Sequence, residues 1–247
     1  MAAPAYQRAV LKLSGESLRG DLPYGLDWSV IAYLAGEVKS AVELGVQLSV
    51  VVGGGNIWRG TEAEAKGMDR ATADYAGMLA TVINALALQD AFERQGVETR
   101  TMTAIDIHEV AEPYIFRRAL HHLESGIVVI FAAGTGNPYM TTDTTAALRA
   151  AEMHANVLLM AKYRVDGVYD ADPRKHPEAT KFDEMEPLDL MNRRLEVMDS
   201  TALSLCMEND MPVWVFDIFN EGSLGRILSG EHIGTLIHAQ PTAARHP

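Results

Sequence analysis

Apolar residues cluster along the chain in two ways. Short unbroken runs at 9–13, 46–52, 127–132, 157–160 and 213–216 predict buried strands, with a weaker one at 98–103 and a last one at 235–238. Between them, apolar positions recur with helical spacing over 28–44, about 69–94, 113–123, 144–154 and 201–209. Strands alternating with helices predict an α/β fold, a three-layer αβα sandwich around a central, mainly parallel sheet. Such sheets bind ligands beyond the carboxyl ends of their strands. The alternation breaks over 162–186, which is rich in charge and carries Pro173, Pro177 and an Asp166-Gly167 turn signal. A loop of that length in a compact domain implies a function. No repeat or linker interrupts the pattern, so a single domain over 1–247 is expected, with 240–247 a disordered tail.

Composition narrows the class. With 247 residues, 48% of them hydrophobic and 22% charged, the chain can bury one large core. A formal net charge of −12 argues against nucleic acid as a partner, so any anion site must be built locally. The single cysteine, Cys206, excludes an internal disulfide and a cysteine-built zinc site. Its apolar neighbours predict a buried thiol rather than a nucleophile. Residues 1–8 lack the regions of a signal peptide and no apolar run approaches a membrane span, so a cytoplasmic protein without membrane contact is expected.

The run at 46–52 ends in Gly53-Gly54-Gly55-Asn56, with Arg59 just beyond. Glycines at a strand end expose N–H groups with no side chain in the way, which suits a phosphate. A tight turn beside a surface arginine needs only one of them. The triplet belongs to neither common phosphate motif: no Walker sequence occurs, and Gly-x-Gly-x-x-Gly fails here at Trp58 and again at Tyr139, which disfavours a dehydrogenase. Lys12-Leu13-Ser14-Gly15-Glu16 offers a compact cation followed by close-approaching backbone, although a lysine at a strand end is also an ordinary solvated residue. The segment from Thr135 to Asp143 is dense in hydroxyl and amide groups and precedes a helix that Thr142 or Asp143 could cap. In Asp166–Pro173, preceded by Lys162, Tyr163 and Arg164, Tyr169 could stack on a purine, and Asp172 could bond a ribose hydroxyl or hold a metal-bound water. The plain alternative is an exposed turn. Asp74, beside the thin Ala76-Gly77 helix face, could accept from two vicinal ribose hydroxyls or be an ordinary surface carboxylate. The eight histidines show no metal-ligand spacing, and no nucleophile elbow occurs.

Taken together, these segments resemble the bacterial UMP kinases (uridylate kinases) of the amino acid kinase family, from about Arg8 to His238. The Thr135–Asp143 segment with Asp74 is the part specific to UMP kinases. The resemblance implies transfer of the γ-phosphoryl group of Mg-ATP to UMP, giving UDP, in pyrimidine nucleotide biosynthesis. It implies ATP phosphates at Lys12, Leu13, Ser14, Gly15, Gly55 and Arg59, and the ATP nucleoside at Tyr163, Tyr169 and Asp172. It places UMP at Gly54, Asp74, Thr135, Gly136, Asn137, Pro138, Tyr139, Met140, Thr141 and Thr142. Lys12, Arg59, Asp143 and Asp199 form the implied catalytic set, the two aspartates orienting lysines or Mg²⁺. Residues 8–150 become the UMP half and 151–238 the ATP half. The family also implies a homohexamer activated by GTP and inhibited by UTP, with Gly20, Asp21, Leu22, Pro23, Tyr24 and Gly25 as the effector segment. Met140 stands where an aromatic residue is usual, and a flexible thioether there implies altered packing rather than a changed substrate.

The residues themselves suit that chemistry. A phosphate acceptor is already ionised, so catalysis reduces to positioning and charge neutralisation, without a histidine or cysteine. A kinase acting on a carboxylate or carbamate would be expected to carry charged groups where 135–142 is neutral. A non-catalytic nucleotide-binding protein would have little need of Lys12, Arg59 and Asp143 together.

Overall fold

The computed structural model describes residues 3–195 and 197–238, so the expected tail at 240–247 lies outside it. Its strands are β1 (Arg8–Leu13), β2 (Gln47–Val52), β3 (Thr99–Thr103), β4 (Glu112–Pro113), β5 (Val128–Ala132) and β6 (Val157–Lys162), then β7 (Val168–Tyr169), β8 (Lys181–Phe182), β9 (Glu184–Met185), β10 (Val213–Asp217) and β11 (Thr235–Ile237). Nine of them form one sheet in the order β4-β3-β5-β2-β1-β6-β10-β11-β9. Every pairing from β4 to β10 is parallel, and only β10–β11 is antiparallel. β7 and β8 make a separate antiparallel hairpin.

The helices are α1 (Gly15–Leu18), α2 (Trp28–Glu43), α3 (Gly60–Ala65), α4 (Arg70–Arg94), α5 (Phe116–Glu124), α6 (Thr142–Glu152), α7 (Pro187–Arg193), α8 (Ser200–Glu208) and α9 (Ser223–Leu228). Alternation along each strand divides the core between the two sheet faces. Leu11, Leu13, Val50 and Val52 pack with α2, α4 and α9, whereas Val10, Val51, Val129 and Phe131 pack with α5, α6 and α8. The expected three-layer α/β architecture is therefore present.

All seven predicted strands form, with ends shifted by one or two residues. The helix expected from 113 begins at Phe116, because Glu112 and Pro113 close the sheet edge beside β3. The expected cap of α6 moves as well: Thr141 takes that place and accepts the Thr144 N–H at 3.0 Å. The 162–186 stretch is not a plain loop, since it carries β7, β8 and β9. Contrary to the expectation of no span-length apolar segment, α4 is long and apolar enough to cross a membrane. Its apolarity has another cause: Ala73, Met78, Val82, Ala85, Leu88 and Phe92 are buried in the core.

β1 is the switch point. The chain winds outward through β2 and β5 on one side and through β6 and β10 on the other. The loops after β1, β2, β5 and β6 thus gather at one edge, where parallel sheets bind ligands.

Candidate active site

Lys12 alternates with Val10, so its side chain points to the face covered by α6. There Asp143, in the first turn of α6, meets its ammonium at 2.7 Å with both side chains largely buried. Asp199 caps α8 by accepting the Ala202 N–H at 2.9 Å, and it also accepts the hydroxyls of Thr141 and Thr144. The two aspartates therefore tie α6 and α8 to the end of β1.

The glycines have different reasons to be glycine. A Cβ on Gly15 would lie 2.7 Å from the Gly53 carbonyl oxygen, and one on Gly54 would lie 2.8 Å from that of Gly77. Both are forced by backbone packed against backbone. A Cβ on Gly55 would meet only the Glu16 side chain, at 3.7 Å, so Gly55 is the member of the triplet that faces open space. None of the three has a left-handed backbone, in contrast to Gly134 (φ 60°) and Gly136 (φ 80°) in the β5–α6 turn.

Three clefts run together along this edge. The first, about 340 Å³, is lined by Gly54, Gly55 and Arg59, by Asp74 and Gly77 of α4, and by Thr135, Asn137 and Met140–Thr142. The second, about 570 Å³, is lined by Lys12, Ser14, Arg19, Lys162, Tyr163, Arg164 and Arg174. Glu16 belongs to both, and its carboxylate is ion-paired with Arg59. The third, about 480 Å³, is lined by Tyr169, Asp172, Pro173, Leu195 and Val197, and shares Lys162 and Arg174 with the second. A cleft in which Glu16 and Asp74 face Arg59 and Arg70 thus continues into a cationic one and then into one that mixes apolar groups with Lys162, Asp172, Arg174 and Arg194.

Asp74 is engaged on both sides: Arg70 donates to it at 3.0 Å and the Tyr139 N–H donates at 2.8 Å. Tyr139 holds a left-handed φ of 67° and is exposed, with Arg70 over its ring at 5.6 Å. Leu13 is fully buried and its carbonyl accepts the Gly53 N–H at 3.0 Å, so it supports the cradle from beneath. Gly136 and Pro138 lie in the turn, off the lining of the first cleft. Tyr163 donates its hydroxyl to Asp21 at 2.9 Å and meets Phe219 edge-on, whereas Tyr169 donates to Asp166 at 2.6 Å. Tyr163 and Arg164 hold the Asp21 carboxyl below the usual carboxylate range.

A family model for the amino acid kinases matches residues 7–217. The chain belongs to the amino acid kinase family. Among solved structures it is similar to a UMP kinase from Bacillus anthracis, 41% identical over 94% of this chain and 96% of that one, with a TM-score of 0.92. It is also similar to a UMP kinase from Ureaplasma parvum, 38% identical over 97% and 100% of the two chains, with a TM-score of 0.89.

The geometry of this amino acid kinase also brings in residues outside the sequence-based site. Lys162 ends β6 as Lys12 nearly ends β1, and it donates to the Val197 carbonyl. Burial, with Lys12 nearby, pushes its pKa down to about 8, against the pull of Asp143. A lysine closing an apolar strand was the available signal. Arg19 and Arg174 carried none, because each reaches the cleft from an irregular segment. Cys206 is buried and its thiol is raised to about 12, which leaves it inert as expected.

Proposed function

We propose that this amino acid kinase transfers the γ-phosphoryl group of Mg-ATP to UMP, giving UDP, in pyrimidine nucleotide biosynthesis. The observation that carries this reading is the continuity of the clefts. A pocket of hydroxyl, amide and glycine groups, in which Asp74 and Glu16 face Arg70 and Arg59, opens past Arg59 into a cavity lined by Lys12 and Lys162. Similarity to UMP kinases at 41% and 38% identity supports the same assignment.

In this reading UMP occupies the first cleft, its ribose on Asp74 and its base against Thr135–Thr142. The donor triphosphate occupies the second cleft and its nucleoside the third, beside Tyr169 and Asp172. Lys12, steadied by Asp143, and Arg59, released from Glu16, neutralise charge that develops between the two phosphates. The Gly55 N–H lies beside them on a backbone already fixed, so little reorganisation accompanies transfer. No side chain needs to remove a proton from the acceptor.

Among the described residues, no group of three or more His, Cys, Asp or Glu side chains could hold a metal ion. Asp143 and Asp199 are already bonded. These residues fit Mg²⁺ carried mainly by the donor phosphates and water, with Asp143 or Asp199 orienting its shell. When bound, Mg²⁺ neutralises charge on the donor phosphates.

A cytoplasmic homohexamer, activated by GTP through Gly20–Gly25 and inhibited by UTP, completes the proposal. Light scattering should give six times the 26.9 kDa chain mass. A coupled ADP-release assay tests the chemistry, offering Mg-ATP with UMP, CMP, dUMP and acetylglutamate in turn. Turnover with UMP is expected, and turnover with acetylglutamate alone, or with no acceptor, overturns the proposal.

A further inference from the structure

Beneath the glycine triplet lie two buried amides, Asn56 at the start of the following turn and Asn84 on α4. Asn84 Nδ2 donates to the Gly53 carbonyl and to Asn56 Oδ1, both at 2.7 Å. Asn56 Nδ2 donates to Asn84 Oδ1 at 3.0 Å and to the Gly25 carbonyl at 2.8 Å. The two amides together offer four N–H groups, and all four are used. The Gly25 N–H in turn donates to the Asn56 carbonyl at 2.8 Å.

A trans peptide points its N–H away from its C=O. Holding the Gly53 carbonyl down toward α4 therefore aims the Gly54 N–H outward, at the wall of the first cleft. Apolar side chains at 56 and 84 would fill the same space and fix nothing. At its other end, the 20–25 segment places Asp21 on Tyr163 and Arg164 of the second cleft.

We propose that Asn84, acting through Asn56, is a positioning residue of the transfer reaction, fixing the Gly53–Gly54 peptide and tying it to the 20–25 segment. The inference rests on the clefts being the nucleotide sites proposed above. Asn84→Leu keeps the branched four-atom shape and removes the amide. For Asn84→Leu, Asn56→Leu and the double variant, kcat per folded molecule and KM for both substrates are measured well below the unfolding temperature. A displaced peptide should lower kcat by about 10–100-fold, with KM moving much less. The double variant should be no worse than the more damaged single one. A kcat per folded molecule within about twofold of the unmodified enzyme overturns the inference, as do losses that multiply in the double variant.

Should the variants fail to fold, hydrogen exchange on the unmodified enzyme decides. Protection of the Gly25 amide should rise on saturation with UMP, and an unchanged Gly25 overturns the coupling. An unmodified enzyme that binds or turns over no UMP overturns the proposed function instead.

Discussion

Lys12 and Lys162 lie on adjacent strands and differ in what surrounds their charge. Lys12 has Asp143, whereas Lys162 has a backbone carbonyl and Lys12 for a neighbour. That difference makes Lys162 the pH-sensitive cation of the cavity. As pH rises through about 8 the folded chain releases its proton, while the unfolded chain holds it to about 10.5. Between those values the unfolded state binds more protons, so this group's contribution to stability rises with pH. The charge is lost over the same window, so kcat/KM for ATP should fall above about pH 8. A Lys162→Arg variant should move that limb upward, and a limb unmoved by the substitution would assign it elsewhere. Lys12→Ala should lower kcat by about 10²–10³-fold or more while UMP affinity survives, read by single-turnover kinetics and calorimetry. Asp74→Asn should weaken UMP far more than ATP, and equal effects on both would remove the ribose role. The triplet shows where residue-level reading stops: sequence marks three glycines alike, but only the fold separates Gly54, packed on α4, from Gly55, facing the cleft.

At the scale of elements, legibility followed burial and length. Strands such as β1, β2, β5 and β6 are apolar on both faces because helices cover both, so their runs stand out. α1, α3, α7 and α9 have four to seven residues, too few for a helical period to register. The hairpin of β7 and β8 lies in a charged stretch because two-residue strands need almost no apolar core. Capping was readable in kind but not in register. Several hydroxyl and carboxyl residues stand side by side before α6, and Thr141 is selected by its additional bond to Asp199. Thr141→Ala should therefore cost more than the roughly 1 kcal/mol of a lost cap, since the Asp199 carboxylate also loses a donor. Urea unfolding measures this cost. Thr141→Ser keeps both bonds and should recover most of the loss, and a Ser variant as unstable as the Ala variant would trace the effect to the lost methyl group.

At the scale of the molecule, the proposed acceptor and donor halves share one sheet. β1 pairs with β2 through Leu13 and Val52 and with β6 through Leu13 and Ala161, so the seam between the halves is itself a central strand. The core on the α2 side runs unbroken across that seam, from Val50 and Ile130 to Leu159 and Phe216. The proposed division into 8–150 and 151–238 would therefore be one of ligand duties alone, and neither half should have a separate stability. Unfolding should be one cooperative transition, with calorimetric and van't Hoff enthalpies in agreement after correction for dissociation of the proposed hexamer. Either nucleotide alone should raise the midpoint of the whole transition, by mass action on the folded state. Two transitions, with UMP moving one and ATP the other, would instead show two units that merely touch. The clefts favour the single transition, because Glu16, in α1 just beyond β1, lines both the first and the second cleft. A chain that opened at β1 would lose both sites in the same step.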